Sequence, residues 1–162
     1  MIITAYLLLG SNLGNRAQVL EKATSSINSK LGSVVKASSI YETSAWGIED
    51  QPPFLNQVIQ IETQLTPHQL LTEINLIEKQ LGRVRHEKWG ERLIDIDILY
   101  YNTSIIHTRE LKIPHPQIIN RRFTLAPLAE VAPNYIHPML EKTQQQLLAE
   151  CKDELEVKKF TY

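Results

Sequence analysis

The order in which strand-like and helix-like patterns follow one another constrains the fold of this chain more than any other feature. Four segments are rich in β-branched residues or alternate apolar with polar positions, as strands do: residues 2–9, 34–42, 54–63 and 93–101. Two segments between them repeat apolar residues every three or four positions, from Leu20 to Leu31 and from Leu70 to Leu81. The resulting β-α-β-β-α-β order predicts an α+β class with a ferredoxin-like core, an antiparallel sheet backed by two helices.

The last third of the chain is less regular because prolines interrupt it. Residues 122–131 indicate a short helix, Thr143 with Gln146 forms a capping pattern for another, and residues 156–160 indicate an edge strand. We therefore expect an irregular, partly helical C-terminal extension. Because no Gly/Ser linker divides the chain, the prediction is a single domain over residues 1–162.

Composition argues against several classes of protein. Seventeen basic and eighteen acidic residues leave a net charge of -1, which gives no general attraction to nucleic acid or to an anionic membrane. The longest apolar run, residues 5–9, is far shorter than the about 20 residues of a membrane-spanning helix. No lysine or arginine precedes Arg16, so we expect no signal peptide, which would begin with a basic region. The single cysteine, Cys151, permits no internal disulfide, which fits a reducing cytosol. We therefore expect a cytoplasmic protein that binds neither nucleic acid nor a membrane.

Two aspartates share one face of the last predicted core strand. Because alternate residues of a strand point the same way, Asp95 and Asp97 face away from the helices that residues 94, 96 and 98 face. Neighbouring carboxylates repel each other, and Mg²⁺ would remove that repulsion with ligands that it prefers. A solvated strand face with arginine partners explains the pattern equally well, so both interpretations stay open.

The segment before this strand, residues 83–92, is long and basic. Its cations are Arg83, Arg85, Lys88 and Arg92. Such side chains suit a polyphosphate whose remaining charge is balanced by a metal ion. A solvated charged loop is the alternative, although Trp89 beside a glycine favours a packing role. The other long connection, residues 43–53, is also of a length that often carries function.

Other candidate residues are weaker signals. Phe54 and Asn56 share a strand face, where a ring can stack on a heterocycle and an amide can bind its edge, yet such pairs are usually ordinary sheet surface. Residues 10–15 lack the Lys-Ser/Thr of a phosphate-binding P-loop, so a tight turn with an asparagine cap is the favoured interpretation. His115 between two prolines, and the run 120–123, are ambiguous by themselves.

Together these motifs resemble one enzyme family. The similar segments are LLLGSNLGNR, QPPFLNQV, IEKQLGRVR, KWGERLIDIDIL and IPHPQIINRRFTLAPLAEVAP, which span roughly residues 4–135. They are similar to the 6-hydroxymethyl-7,8-dihydropterin pyrophosphokinases of folate biosynthesis. The resemblance implies that the chain transfers diphosphate from ATP to the hydroxymethyl group of the pterin and releases AMP.

The resemblance also implies roles for individual residues. Two Mg²⁺ ions would be bound by Asp95 and Asp97. The catalytic set would be these aspartates with Arg83, Arg85 and Arg92, and the first two arginines would belong to a mobile loop. ATP would be bound by Asn75, Glu78, Trp89, Arg92, His115 and Arg121. The pterin would be bound by Thr43, Ser44, Trp46, Phe54, Asn56 and Phe123.

The sequence departs from the family pattern without losing a chemical group that the reaction needs. Glu91 and the pair Ser44–Ala45 stand where proline is common, and Phe54 stands where tyrosine is common. Two rival classes are an RNA-binding module on the same frame and a metal-dependent nuclease. The aspartates would repel RNA phosphates, and a nuclease gives no reason for the paired aromatic rings. We expect ATP and the pterin as partners of a monomer, with a dimer left open.

Overall fold

The computed structural model describes residues 1–43, 52–82 and 93–161 of the 162-residue chain. Its strands are β1 (Ile3–Ser11), β2 (Ser33–Ala37), β3 (Tyr41–Thr43), β4 (Phe54–Thr63), β5 (Asp95–Tyr101), β6 (Ile106–His107), β7 (Lys112–Ile113) and β8 (Val157–Lys159). Its helices are α1 (Arg16–Lys30), α2 (Pro67–Gln80), α3 (Arg122–Val131) and α4 (Gln144–Glu150), with a 3-10 turn at Ile118–Asn120. Within these ranges, no helix combines the length and the apolar character that crossing a membrane requires.

One antiparallel six-stranded sheet organises the chain. Its order is β5-β1-β4-β3-β8, and β2 pairs with β4 on the same side as β3. The strands β6 and β7 form a separate hairpin that the sequence did not predict. The arrangement confirms the ferredoxin-like α+β core, and β8 confirms the edge strand expected near residues 156–160.

Each face of the sheet has its own apolar core. On one face, α1 and α2 bury side chains such as Ile27 and Ile74 against the sheet. On the opposite face, α3 and α4 bury Leu125 and Leu147 against Leu8 and its neighbours. The C-terminal extension is therefore the covering layer of the second face, a position that the sequence pattern did not reveal.

Local signals set the helix boundaries. Asn15 Oδ1 accepts a 3.2 Å hydrogen bond from the backbone N–H three residues later, which confirms the asparagine cap of α1. Thr66 and Thr143 each form a reciprocal capping box with the glutamine three residues later. Gly82 follows α2 with a φ of +93°, a left-handed conformation that glycine adopts without strain.

Two strands differ from the sequence-based expectation. β1 continues through Gly10 and Ser11, which were expected in a turn, because both residues pair with β4. The strand predicted over residues 34–42 is divided into β2 and β3. At the interruption, Ser38 donates its N–H to the carbonyl of Val58 (2.9 Å), and its Oγ accepts the Val58 N–H (3.0 Å). One residue thus satisfies both backbone groups of Val58 where regular pairing stops.

A bulge at Leu99 interrupts β5. Residues 95–98 pair with β1 in one register and residues 100–101 in a register shifted by one, so Leu99 is the extra residue. Consequently Leu99 and Tyr100 both pack on the α3/α4 side, although they are consecutive. The isoleucines before the bulge pack against α1 and α2, as the alternation predicted.

Candidate active site

The strand registers place several predicted site residues in a row across the face covered by α3 and α4. Gly10 on β1 pairs with Asp95 of β5 on one side and with Asn56 of β4 on the other. Tyr41 of β3 pairs with Asn56 and extends the row. Since neighbouring strands lie about 4.8 Å apart, the backbones at Asp95 and Asn56 are separated by about 10 Å. The predicted metal-binding and pterin-binding residues therefore lie on one surface, with Gly10 between them.

Gly10 leaves the middle of this row without a side chain. A Cβ atom there would lie 2.7 Å from Nδ2 of Asn56, closer than side chains approach each other. Asn56 is 5% exposed, and its Nδ2 donates a long 3.5 Å bond to the carbonyl of Leu9. Sequence reasoning missed this role because Gly10 was assigned to a turn. A glycine that continues an apolar strand is the signal that identifies a close approach.

Asp95 and Asp97 lie at the start of β5 on the face predicted from the alternation, and both are partly exposed. Across the ranges that the structure describes, no group of three or more His, Cys, Asp or Glu side chains is arranged to hold a metal ion. Within the described residues, Asp95 and Asp97 are therefore a pair of neighbouring carboxylates without a third such ligand beside them. Their hard oxygen atoms suit Mg²⁺, which commonly uses one or two carboxylates together with substrate phosphates.

Glu78 holds the strand that carries both aspartates. Its Oε2 accepts the backbone N–H of Ile96, between them, at 2.8 Å, and the residue is only 3% exposed. Asn75, one turn earlier on α2, is exposed. Their spacing of three residues predicts a shared helix face, yet Glu78 is buried and Asn75 is exposed. Glu78 is placed to orient β5, and direct ATP contact by either residue stays a prediction.

His115 is held beside this strand as a neutral donor. Its backbone N–H donates to the carbonyl of Leu99 (3.0 Å), and its ring Nδ1 accepts the backbone N–H of Gln117 (3.1 Å). Burial and the nearby Arg121 cation lower the pKa of His115 to about 4, although Asp95 opposes the shift. At neutral pH the hydrogen-bonding pattern therefore assigns the ring proton to Nε2, which can donate to a ligand.

The start of α3 separates two neighbouring arginines. The Arg121 guanidinium lies 5.6 Å from the ring centre of Phe123, which packs against the core between the sheet and α3 and α4. Arg122 turns away and donates to the carbonyls of Cys151 (2.9 Å) and Asp153 (3.0 Å). Of these two consecutive arginines, Arg121 therefore lies beside the site and Arg122 fixes the C-terminal segment.

Thr43, Phe54 and Asn56 lie together where β3 ends and β4 begins. Thr43 pairs with Phe54, and the strand alternation places all three side chains on the site face. Thr43 is 3% exposed, and among the described residues its Oγ1 has no hydrogen-bond partner. This hydroxyl is therefore a polar atom to which the edge of a ligand could bond.

Several predicted site residues lie outside the described residues. They are Ser44, Trp46, Arg83, Arg85, Trp89 and Arg92. The roles that the resemblance implies for them stay predictions.

Comparison with known proteins identifies the family. The chain matches the model of the 7,8-dihydro-6-hydroxymethylpterin-pyrophosphokinase family over residues 6–133. It is 45% identical to the Aquifex aeolicus 2-amino-4-hydroxy-6-hydroxymethyldihydropteridine pyrophosphokinase over 157 residues, which cover 97% of this chain and 95% of that protein. It is 46% identical to the Bacillus subtilis protein of the same name over 128 residues, 78% of this chain and 77% of that protein. The chain therefore belongs to the 7,8-dihydro-6-hydroxymethylpterin-pyrophosphokinase family, as the sequence motifs predicted.

A solved structure supports the fold independently. The crystal structure of Plasmodium falciparum HPPK-DHPS is similar to this chain with a TM-score of 0.78 at 19% sequence identity. The similarity covers 93% of this chain and 45% of that one. At this identity the likeness concerns the fold alone, and it agrees with the ferredoxin-like topology described above.

Proposed function

We propose that this chain transfers diphosphate from ATP to the hydroxymethyl group of 6-hydroxymethyl-7,8-dihydropterin, in the reaction of its family, and releases AMP. The observation that carries the proposal is the row formed by Asp95, Gly10 and Asn56 on three adjacent strands. Carboxylates on β5 and an amide on β4 lie on one face, and Gly10 keeps the surface between them free. A phosphate chain held at β5 can then approach a heterocycle held at β4.

We assign the metal-binding role to Asp95 and Asp97, with two Mg²⁺ ions that enter with ATP. Their partly exposed carboxylates are ligands of the type that Mg²⁺ prefers, and phosphate oxygens and water would complete the coordination. Bound Mg²⁺ supplies neutralisation of the phosphate charge during diphosphate transfer. Glu78 supports this role from α2, because its carboxylate accepts the backbone N–H of Ile96 between the two aspartates.

His115 and Arg121 suit the nucleotide side. The neutral imidazole offers Nε2–H to an acceptor on ATP, and Arg121 adds a positive charge. On the family resemblance, we also propose Arg83, Arg85 and Arg92 as catalytic cations. The same resemblance supports nucleotide contacts from Asn75, Glu78, Trp89 and Arg92.

The pterin side is formed by residues that can stack on a flat ring and bind its polar edge. Phe54 and Phe123 provide aromatic faces, because the Phe54 side chain and the start of α3 lie on the same side of the sheet. Asn56 and the buried hydroxyl of Thr43 provide polar atoms beside them. Ser44 and Trp46 complete the proposed set on the resemblance alone.

The chemical step needs alignment more than covalent help from the protein. The hydroxymethyl oxygen attacks the β-phosphorus of ATP, the bond between that phosphorus and the α,β-bridging oxygen breaks, and AMP leaves with the bridging oxygen. The alcohol loses its proton. The chain's own residues orient the two substrates: His115 and Arg121 the nucleotide, Phe54 and Asn56 the pterin.

We further propose that residues 1–162 act as one domain, since both cores share the same sheet and β8 pairs with β3. The proposed partners are ATP and the pterin, and the proposed state is a monomer. A cytoplasmic location rests on the single thiol of Cys151.

Release of AMP from ATP, measured with and without the hydroxymethyl pterin, tests the reaction. Equal amounts of AMP and pterin diphosphate, formed only when the pterin is present, would support the proposal. Release of AMP or phosphate at a rate independent of the pterin would contradict it. Treatment with a chelator followed by Mg²⁺ addition tests the metal requirement separately.

A further inference from the structure

Arg16 occupies the first position of α1, where a cation does not favour the helix. The N-terminal end of a helix carries a partial positive charge and prefers acidic side chains, yet the first turn of α1 contains none. Helix stability therefore gives no reason for an arginine at this position, and its contacts must supply one.

A single nitrogen of Arg16 joins two strand ends. Nη1 donates to Oε2 of Glu42 on β3 (3.1 Å) and to the carbonyl of Pro53, directly before β4 (2.7 Å). The two side chains of the ion pair are each 23% exposed, so water screens the pair only in part. The guanidinium carbon also lies over the ring of Phe160, 5.6 Å from the ring centre, at a cation–π distance.

The connection between β1 and α1 makes a second contact with the residues directly before β4. Asn12, which is fully buried, donates its Nδ2 to the carbonyl of Pro52 at 3.2 Å. The carbonyls of the two residues before Phe54 are thus bound by the side chains of Asn12 and Arg16. Segment 10–15 therefore contributes one of the two side chains that hold the start of β4.

We propose that Arg16 is a positioning residue for pterin binding. It fixes the end of β3 to the start of β4, and the adjacent pair Thr43 and Phe54 begins one residue beyond its two contacts. The proposal rests on the pterin-binding roles proposed above for Thr43 and Phe54. Arg16 acts through these residues, by limiting the relative movement of the two strands that carry them.

The test compares Arg16→Ala with Lys22→Ala, which removes an exposed cation from the same helix. Pterin affinity is measured by calorimetry with Mg²⁺ and an α,β-methylene analogue of ATP, which cannot transfer its diphosphate. Arg16→Ala is expected to weaken pterin binding about fivefold, since a partly screened charge-assisted hydrogen bond is lost. Its nucleotide affinity and its turnover at saturating pterin should stay within about twofold of the wild type, and Lys22→Ala should change neither affinity.

Two results would overturn the positioning role. One is an unchanged pterin affinity in Arg16→Ala. The other is an equal loss of pterin and nucleotide affinity with a lower melting temperature, which would show a general structural role. Arg16→Lys, which retains charge and donors, is expected to bind the pterin more tightly than Arg16→Ala.

Phe54→Ala in the same assay separates this inference from the proposed pterin site. If Phe54→Ala weakens pterin binding and Arg16→Ala does not, only the positioning role is wrong. If Phe54→Ala binds the pterin normally, the proposed site itself is wrong.

Discussion

Replacement of Gly10 by alanine tests whether the open position between β5 and β4 is needed for pterin binding. The new Cβ would lie 2.7 Å from Nδ2 of Asn56, whereas its approach to the carbonyl of Leu55, 3.9 Å, is an ordinary contact. The Asn56 amide is therefore the group that must move. The backbone of Gly10 has no positive φ, so alanine is compatible with it.

The size of the effect follows from these distances. To restore an ordinary separation of 3.4 Å, the amide must move by about 0.7 Å, the difference between 3.4 and 2.7 Å. A hydrogen bond from Asn56 to the pterin would then be lost, which is worth about 0.5–1.5 kcal/mol, or about two- to twelvefold in affinity. Overpacking costs about 1–3 kcal/mol, and the lower chain entropy of unfolded alanine offsets about 0.4–1 kcal/mol of that. The melting temperature should fall by about 2–4 °C for each kcal/mol that remains.

Calorimetry with the pterin in the presence of the methylene analogue of ATP measures the expected loss. Gly10→Ala added to Asn56→Ala should cause no further loss, because no amide is left to displace. Gly32→Ala is the matched control, since its Cβ would meet the backbone carbonyl of Glu62 at the far end of β4 and should lower stability without affecting ligands. Normal pterin affinity in Gly10→Ala, or an equal loss for the nucleotide, would refute the reasoning.

Three further predictions address the metal, the pterin and pH. Asp97→Ala should abolish turnover while the thermal unfolding midpoint stays close to that of the wild type, because the side chain faces the site; near-normal turnover by the folded variant would exclude the metal role. Phe123→Ala should weaken pterin binding by about 1–3 kcal/mol, roughly five- to 150-fold, and nucleotide binding much less, as calorimetry with each ligand can show. A larger loss for the nucleotide would contradict that assignment. The pKa of His115 is about 4 in the folded chain and about 6.5 when unfolded, so its share of stability is present above pH 6.5 and is lost as the pH falls towards 4. His115→Gln should therefore flatten part of the fall in unfolding free energy over that interval, measured by urea denaturation at several pH values, and an unchanged slope would show that His115 is not the group responsible.

Elements set by local signals could be predicted closely, and elements set by partners distant in sequence could not. β4 and α3 have the expected bounds, 54–63 and 122–131, because alternation and helical periodicity are local properties. The interruption of the second strand at Ser38 depends on hydrogen bonds to Val58, twenty residues away. No pattern in the sequence around Ser38 indicates such a hydrogen bond.

The same distinction holds in the site. The orientation of Asp95 and Asp97 follows from a period of two and was predicted. The space kept by Gly10 depends on the register of β1 with both neighbours, which is a tertiary property. Arg121 and Arg122 are chemically identical, and only the carbonyls of the C-terminal segment assign Arg122 a structural role.

The bulge in β5 has a consequence for how this site can change in evolution. The alternation of side chains before and after Leu99 would be continuous if this one residue were absent, so the strand would be more regular without it. Yet the carbonyl of that extra residue is the acceptor that holds the backbone of His115. Under the nucleotide-binding role proposed for His115, selection for a regular sheet and selection for nucleotide binding therefore act in opposite directions at Leu99.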